Sequence, residues 1–172
     1  MTVTADYLGL RLQIADVDHE NLAFFKSCAE GKLRLQRCCA CHLLRYPPTT
    51  ACPFCAEPAA EWSEVEARGV VHSYTRVHHA IQPGLKPHTP YVILLVELDA
   101  QRGQPGPGDA LRLVGNLADE TGRLADPETT DKVGIGSRVR MVLAHLNDDL
   151  AIPHWTLDGD AETWRYPGDG RR

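Results

Sequence analysis

Four cysteines in the first third of the chain constrain its fold more than any other feature. They form two Cys-x-x-Cys pairs, Cys38/Cys41 and Cys52/Cys55, which are separated by ten residues. Two such pairs can direct four thiolates at one tetrahedral metal ion, and zinc is the commonest ion in sites of this kind. Because four protein ligands fill the coordination sphere, we predict one structural zinc per chain and no catalytic metal.

Two other interpretations of these cysteines remain open. Disulfides require an oxidising compartment, and the N-terminal residues lack the basic segment and apolar core of a secretory signal, so we expect a cytoplasmic protein. A rubredoxin-type iron site would use the same four thiolates and carry one electron. Such sites usually have glycine after the second cysteine of each pair, where positive φ is easy. His42 and Ala56 occupy these positions and disfavour iron without excluding it.

Two further cysteines are expected to have no role as ligands. Cys39 lies beside the first pair, but the i, i+3 spacing of Cys38 and Cys41 is the better-attested ligand geometry. Cys28 lies in a helical pattern and is expected to be a small buried hydrophobic residue.

Length, composition and charge exclude several functional classes. The chain has 172 residues, 43% of them hydrophobic, which is enough to bury a core. The longest apolar run, residues 91–98, is too short to cross a membrane and fits a buried strand. A net charge of −5 disfavours a general phosphate-backbone binder. One local group of basic residues consists of Lys32, Arg34, Arg37 and Arg45. We interpret it first as the solvated faces of strands, and second as a site for the phosphates of a nucleotide or of coenzyme A.

The chain divides into four predicted segments: an arm and helix (1–31), a zinc ribbon (32–61), an OB-fold (62–157) and a tail (158–172). Residues 1–17 are weakly patterned and are interpreted as an arm that orders on a partner. Asp18 can cap a short helix that ends at Gly31. Helical spacing predicts an apolar face of Leu22, Phe25 and Ala29, with Phe24 and Cys28 beside it.

Five strands are predicted after the ribbon, at residues 69–78, 91–98, 111–117, 139–146 and 151–157. Residues 91–98 are apolar on both faces, which predicts a central strand, and Pro153 predicts that the last strand lies at an edge. Five short strands without long helices between them predict a small Greek-key barrel, and five is the strand count of the OB-fold. The predicted fold class is therefore mainly β.

The order of these motifs resembles one known family. The helix is followed by the two cysteine pairs, which lie on either side of Arg45-Tyr46-Pro47-Pro48. Four further motifs follow in order: Gly69-x-Val71-x-Ser73-Tyr74-Thr75, Pro90-Tyr91-Val92, Leu113-Val114-Gly115-Asn116 and Gly134-Ile135-Gly136-x-Arg138-Val139. Over residues 18–157 the chain resembles the acyl-CoA-associated OB-fold family with a rubredoxin-like zinc ribbon, first catalogued as domain of unknown function thirty-five.

The resemblance implies a helical segment, a zinc ribbon and a five-stranded OB-fold barrel. It also implies a non-catalytic subunit that supports a thiolase-like enzyme, such as a thiolase, a hydroxymethylglutaryl-CoA synthase or a steroid side-chain aldolase. By this analogy we expect a two-plus-two heterotetramer, acyl-CoA at its interface, and negligible activity of the isolated chain. The chain departs from the family at His42, where glycine is usual, and in the enlarged loops 104–108 and 118–131.

Catalytic chemistry within this chain has little support from the sequence. His72, His78 and His79 are candidates for acid–base work, but no recognisable nucleophile, phosphate-loop or metalloprotease motif accompanies them. We therefore predict no catalytic residue. Four residues are candidates for a surface that faces the partner or coenzyme A: Arg37, Arg45, His78 and His79.

A single-strand nucleic-acid binder is the alternative function, because OB barrels and zinc ribbons both support that activity. It requires exposed aromatic residues beside basic ones. Only 6% of the chain is aromatic, and Tyr74 and Tyr91 fall in predicted strands where core packing is the simpler interpretation.

Overall fold

A hairpin, a helix, a three-stranded ribbon and a five-stranded sheet follow one another along the chain. The computed structural model describes residues 2–15, 17–160 and 162–164. Residues 1 and 16 of the predicted arm, and residues 161 and 165–172 of the predicted tail, lie outside the described residues.

The predicted N-terminal arm forms a β-hairpin, which was not predicted. Strands β1 (Val3–Tyr7) and β2 (Leu10–Ile14) pair antiparallel, and side chains alternate between partly buried and exposed along both. The turn residues Leu8 and Gly9 have φ values of 52° and 75°, which match the twist that two-residue hairpin turns require. Strands of five residues give a period-two signal too short to distinguish from an irregular segment.

Helix α1 (His19–Ala29) begins after Asp18 and is followed by Gly31 at φ 81°. The Asp18 carboxylate does not cap the helix; it accepts hydrogen bonds from the Asn21 side chain at 3.0 Å. The buried residues are Phe24, Ser27 and Cys28, so the buried face is rotated from the one predicted. The Phe24 ring lies 5.2 Å from the Tyr46 ring and belongs to the hydrophobic core, so tertiary packing determines which face of the helix is buried.

The ribbon consists of β3 (Arg34–Cys38), β4 (Leu44–Arg45) and β5 (Ala60–Glu64), with β3 in the centre. Strand β5 pairs with β3 from Arg34↔Glu64 to Cys38↔Ala60. The boundary expected between residues 61 and 62 therefore falls inside a strand of the ribbon.

The five predicted strands of the OB-fold are confirmed: β6 (Arg68–Val77), β7 (Tyr91–Leu98), β8 (Arg112–Asn116), β9 (Arg138–Asn147) and β10 (Leu150–Leu157). They pair antiparallel in the order β10-β9-β6-β7-β8, so β7 is internal and β10, which contains Pro153, is an edge strand, as predicted. The mainly β class is confirmed, but the sheet is not a closed barrel. Strands β8 and β10 lie against each other at Gly115, where an added Cβ would meet Pro153 O and Trp155, but among the described residues only one parallel bridge joins this edge to β10, between Leu117 and Trp155.

The enlarged connection after β8 contains a short helix that was not predicted, α2 (Pro127–Lys132). Asp126 caps it by accepting a hydrogen bond from Thr129 N at 2.7 Å. Two 3₁₀ turns, Pro83–His88 and Asp99–Gln101, flank β7. Among the described residues, no helix has the length and apolarity needed to cross a bilayer.

One hydrophobic cluster runs through the helix, the ribbon and the five-stranded sheet. It includes Phe24 and Cys28 of α1, Leu35 and Leu44 of the ribbon, and aliphatic residues of the sheet such as Leu94. Cys28 is fully buried, as predicted. Because burial of apolar area is the dominant favourable term in folding, this shared cluster fixes the helix and the ribbon against the sheet.

Candidate metal centre and its connections

The four predicted cysteine ligands converge at the tip of the ribbon. Their Sγ atoms all lie within 4.8 Å of one another. The two shortest separations cross between the pairs: Cys38 to Cys55 is 3.5 Å and Cys41 to Cys52 is 3.6 Å. Cys38 and Cys52 are buried, whereas Cys55 is exposed, so the cluster is open on one side of the molecule.

This geometry fits a tetrahedral metal ion and does not fit disulfides. A zinc–sulfur bond of about 2.3 Å places tetrahedral sulfurs about 3.8 Å apart. A disulfide requires about 2.05 Å, and all six cysteines are free. The disulfide interpretation is therefore excluded for this structure. The four thiols could hold a zinc or an iron ion, since both accept four sulfur ligands.

Each cysteine pair forms the same tight turn. His42 N donates to Cys38 O at 3.1 Å, and Ala56 N donates to Cys52 O at 2.9 Å. His42 and Ala56 have φ values of 62° and 63°. The positive φ supplied by glycine in related sites is thus adopted here by non-glycine residues, at a cost of about 1–2 kcal/mol each. The absence of glycine therefore does not prevent the ligand geometry.

Backbone donors favour the thiolate form of the most buried ligand. Cys41 N and Ala40 N lie 3.5 Å and 3.4 Å from Cys38 Sγ. These hydrogen bonds, led by that from Cys41, lower the pKa of the Cys38 thiol, whereas burial and the neighbouring sulfurs raise the pKa of the Cys41 thiol. The turn thus prepares Cys38 to act as a metal ligand, because the thiolate is the form that binds metal.

Arg45 supports the ribbon from inside and does not lie on an exposed surface. Its side chain is buried, and Nε donates to Gln36 Oε1 at 2.9 Å. The two terminal nitrogens donate to the carbonyl oxygens of Glu57 and Pro58, both at 3.3 Å. Gln36 Oε1 also accepts from Thr49 N at 2.8 Å. These bonds connect the central strand to the segments that enter and leave the second cysteine pair.

A buried glutamine joins the ribbon to the sheet. Leu44 N donates to Gln101 Oε1 at 2.6 Å, and Gln101 Nε2 donates to Leu44 O at 2.9 Å. The side-chain amide therefore pairs with β4 as a neighbouring strand would. Gln101 lies in the 3₁₀ turn that follows β7, and only 4% of it is exposed. No sequence signal identified this residue, because its partner is 57 positions away.

Of the remaining predicted residues, Arg37 lies beside the first cysteine pair, and the histidines lie on or after β6. Arg37 is partly exposed and donates to Ser63 Oγ at 3.2 Å and to His42 O at 3.0 Å. His78 and His79 are exposed in the loop after β6. His72 lies on β6 with Nδ1 3.8 Å from Glu97 Oε2. The structure does not bring these residues together into one site. Cys39 is exposed beside the cluster and is not one of the four converging thiols.

A second buried polar contact holds the N-terminal hairpin against the sheet. His154 Nδ1 donates to Pro153 O at 3.0 Å, because a carbonyl can only accept. His154 Nε2 therefore accepts from Tyr7 Oη at 2.9 Å, and Tyr7 Oη accepts from Asn116 Nδ2 at 3.2 Å. Burial lowers the pKa of His154 to about 4, so the imidazole is neutral near pH 7. Burial also raises the pKa of Tyr7, which keeps its hydroxyl protonated.

The fold and the cysteine cluster define a protein with a four-cysteine ribbon attached to an OB-type sheet. The family model of the ChsH2 C-terminal OB-fold domain matches residues 62–144. One chain of a solved structure described as the Ltp2-ChsH2(DUF35) aldolase is 30% identical, with a TM-score of 0.64; the match covers 84% of this chain and 98% of that one. The chain belongs to this DUF35 family of ChsH2-type proteins.

Two further relatives extend the comparison. A probable enoyl-CoA hydratase alpha subunit of Thermomonospora curvata is 32% identical over 139 residues; the chain spans 37% of the length of that relative. A DUF35 protein of unknown function from Sulfolobus solfataricus is 17% identical, with a TM-score of 0.50, and the match covers 83% of this chain and 95% of that one. This last similarity concerns the fold alone.

Proposed function

We propose that this chain is a non-catalytic subunit that binds and supports a thiolase-fold enzyme acting on carbon–carbon bonds of acyl-CoA. The observation that carries the proposal is the match over 98% of the ChsH2-type chain in the Ltp2-ChsH2(DUF35) aldolase, a structure whose description names two proteins. The name of the Thermomonospora curvata relative also supports an acyl-CoA context.

The cysteine cluster supports a structural role within such a subunit. We propose that Cys38, Cys41, Cys52 and Cys55 bind one zinc ion. Four thiolates leave no position for water or substrate, so the ion would stabilise the ribbon and take no part in chemistry. Iron would fill the same four positions, and metal analysis of the purified protein separates the two: a colourless protein with one zinc supports the proposal, and a coloured, redox-active iron protein contradicts it.

The surface that contacts the enzyme is proposed to include Arg37, His78 and His79, which are partly or fully exposed. Arg45 is withdrawn from this set because its guanidinium is buried in the ribbon. A thiolase-fold dimer would bind two copies of the chain, giving a two-plus-two heterotetramer with acyl-CoA near the interface.

The test is gentle purification of the tagged chain from its native cells, followed by mass spectrometry of the proteins that accompany it. We expect a thiolase-fold enzyme in equal amount, and no condensation or cleavage of acyl-CoA by the chain alone. A chain that is purified without such an enzyme, or that turns over acyl-CoA by itself, would contradict the proposal.

A further inference from the structure

A cavity of about 330 Å³ lies where the N-terminal hairpin meets the five-stranded sheet. Its walls come from four segments that are distant in the sequence: the turn of the hairpin, the 3₁₀ turn Pro83–His88, the loop before α2, and the end of β9. Small-molecule sites in proteins usually have volumes of about 300–1,000 Å³ and are lined mainly by apolar groups. This cavity is therefore large enough for a small ligand.

The hairpin wall of the cavity is held in place by specific contacts. Tyr7 lines the cavity, and its hydroxyl donates to His154 Nε2 at 2.9 Å and accepts from Asn116 Nδ2 at 3.2 Å. Leu8 O lies so close to Gly84 that there is no room for a Cβ at that position. The hairpin turn thus packs directly on the 3₁₀ turn. Because these contacts fix the wall without a ligand, the cavity is preorganised for binding.

Four of the lining residues are aliphatic: Leu8, Leu124, Ala144 and Leu146. Ala144 is buried, whereas the three leucines are only partly buried and keep apolar surface in contact with water. A ligand with a hydrocarbon body would remove this surface from water, which favours binding. This part of the cavity therefore fits an aliphatic group.

Three nitrogen-bearing side chains line the same cavity: His88, Arg123 and His145. All three are exposed. Among the described residues, neither imidazole has a hydrogen-bond partner, and no group accepts from the terminal nitrogens of Arg123. None of the residues that line the cavity carries a carboxylate. The polar part of the cavity therefore fits an acceptor group with negative charge.

The acidic residues beside the cavity are engaged elsewhere. Asp119 Oδ1 accepts from Thr121 Oγ1 at 2.7 Å, from Thr121 N at 2.8 Å and from Arg123 N at 3.0 Å. Its other oxygen lies 3.8 Å from Arg123 Nε, which donates to Thr121 Oγ1 at 3.1 Å. Glu120 pairs with Arg140. Asp119 thus offsets part of the guanidinium charge through Nε, and both terminal nitrogens remain free to donate to a ligand.

We propose that this cavity binds a small aliphatic carboxylate, with the hydrocarbon body against the leucines and the carboxylate at Arg123, His88 and His145. Guanidinium groups suit this ligand because their planar pairs of N–H donors match the geometry of a carboxylate. The site is separate from the cysteine cluster and from the surface proposed for the partner enzyme, and it does not depend on the proposed function.

The first experiment titrates the full chain, as purified, with octanoate and separately with octanol, while amide chemical shifts are recorded. We expect saturable shifts at the amides of Gly122, Ala144 and Leu146, and a Kd for octanoate at least fivefold lower than for octanol, which has a similar hydrocarbon body and no charge. Absence of saturable shifts at these amides with octanoate would overturn the proposal. Equal affinity for the two ligands would also overturn it, because the carboxylate would then contribute nothing.

The second experiment repeats the titrations with three variants whose amide spectra remain those of a folded chain. Arg123→Gln should weaken octanoate binding at least fivefold and change octanol binding less than twofold, because it removes only the charge. Leu146→Ser should weaken both ligands. Arg11→Gln is the matched control, since Arg11 is exposed on β2 and does not line the cavity. Unchanged octanoate affinity in Arg123→Gln, or an equal loss in Arg11→Gln, would contradict the proposal.

Discussion

The ribbon surrounds four thiols and a hydrogen-bonded arginine, whereas the sheet surrounds aliphatic side chains. In the ribbon, β4 has only two residues, and Arg45 and Gln36 are among the buried groups. In the sheet, β7 has eight residues, and Leu94 and Val96 have no exposed surface. Strands as short as β4 bury too little apolar area to stabilise themselves. We therefore expect the ribbon to depend on the proposed metal ion and on these polar contacts more than the sheet does.

The largest expected effect follows from removing one thiol. Cys41→Ser should abolish stoichiometric zinc and unfold the ribbon, because metal binding in small zinc domains contributes on the order of 10 kcal/mol to folding. The sheet should persist. Metal analysis measures the zinc content, and hydrogen exchange of the β7 amides measures whether the sheet stays folded. Cys39→Ser is the matched control and should retain zinc. Stoichiometric zinc and an unchanged melting temperature in Cys41→Ser would show that the ligand assignment is wrong.

A substitution in the core of the sheet should destabilise the sheet and leave the metal site intact. Leu94→Ala should lower the free energy of unfolding by about 2–5 kcal/mol, because the lost side chain leaves a cavity in a fully buried position. Zinc content should stay at one per chain. The neighbouring Ile93→Ala, on the outer face, should cost much less, as measured by urea unfolding. Equal losses for the two variants would contradict the burial difference between the faces.

Acid should destabilise the sheet through His154. Its pKa is lowered from 6.5 to about 4 by burial, so the unfolded chain binds more protons between these values. Stability is therefore fully present above pH 6.5 and falls as the pH decreases toward 4, by about 3 kcal/mol in total. Because acid also releases zinc from thiolates, the measurement is the difference between wild type and His154→Gln in urea unfolding at each pH. A difference that does not vary with pH would contradict this assignment.

The contact between the ribbon and the sheet, which the Gln101 side chain makes with the Leu44 backbone, is tested by Gln101→Ala. Removing the amide leaves the N–H and C=O of Leu44 without partners and should cost about 2 kcal/mol. Hydrogen exchange at the Leu44 amide should accelerate more than exchange in β7. Gln104→Ala, in the loop before β8, is the control. If exchange at Leu44 stayed as slow as in wild type, the contact between the ribbon and the sheet would not depend on the Gln101 side chain.

The smallest expected effect is an increase in stability. Ala56→Gly removes the strain of a positive φ, worth about 1–2 kcal/mol, and loses part of that gain to the entropy of the unfolded chain. We expect a net stabilisation of about 0.5–1 kcal/mol, visible as a higher melting temperature of the metal-bound protein. Ala144→Gly, in strand β9, should have the opposite sign. A lower melting temperature for Ala56→Gly would show that this turn is unstrained.

Features that depend on local spacing could be predicted from the amino-acid sequence alone. Two Cys-x-x-Cys pairs form two turns because each turn closes within a few residues, and the five strands of the sheet are visible as apolar segments between breakers. The helix was also predicted, although its buried face was misplaced, since that face is determined by packing against the sheet and the ribbon.

Contacts between residues that are distant in the sequence could not be predicted without the assembled fold. Gln101 pairs with Leu44, and Tyr7 with His154, across 57 and 147 positions, and neither pair leaves a periodic signal. The burial of Arg45, the opening of the barrel between β8 and β10, and the exposure of Val114 likewise depend on which strands become neighbours. Local spacing restricts the conformation of a few residues at a time, whereas edges, joints and buried polar pairs are properties of the assembled sheet, and so they are absent from any short segment of the sequence.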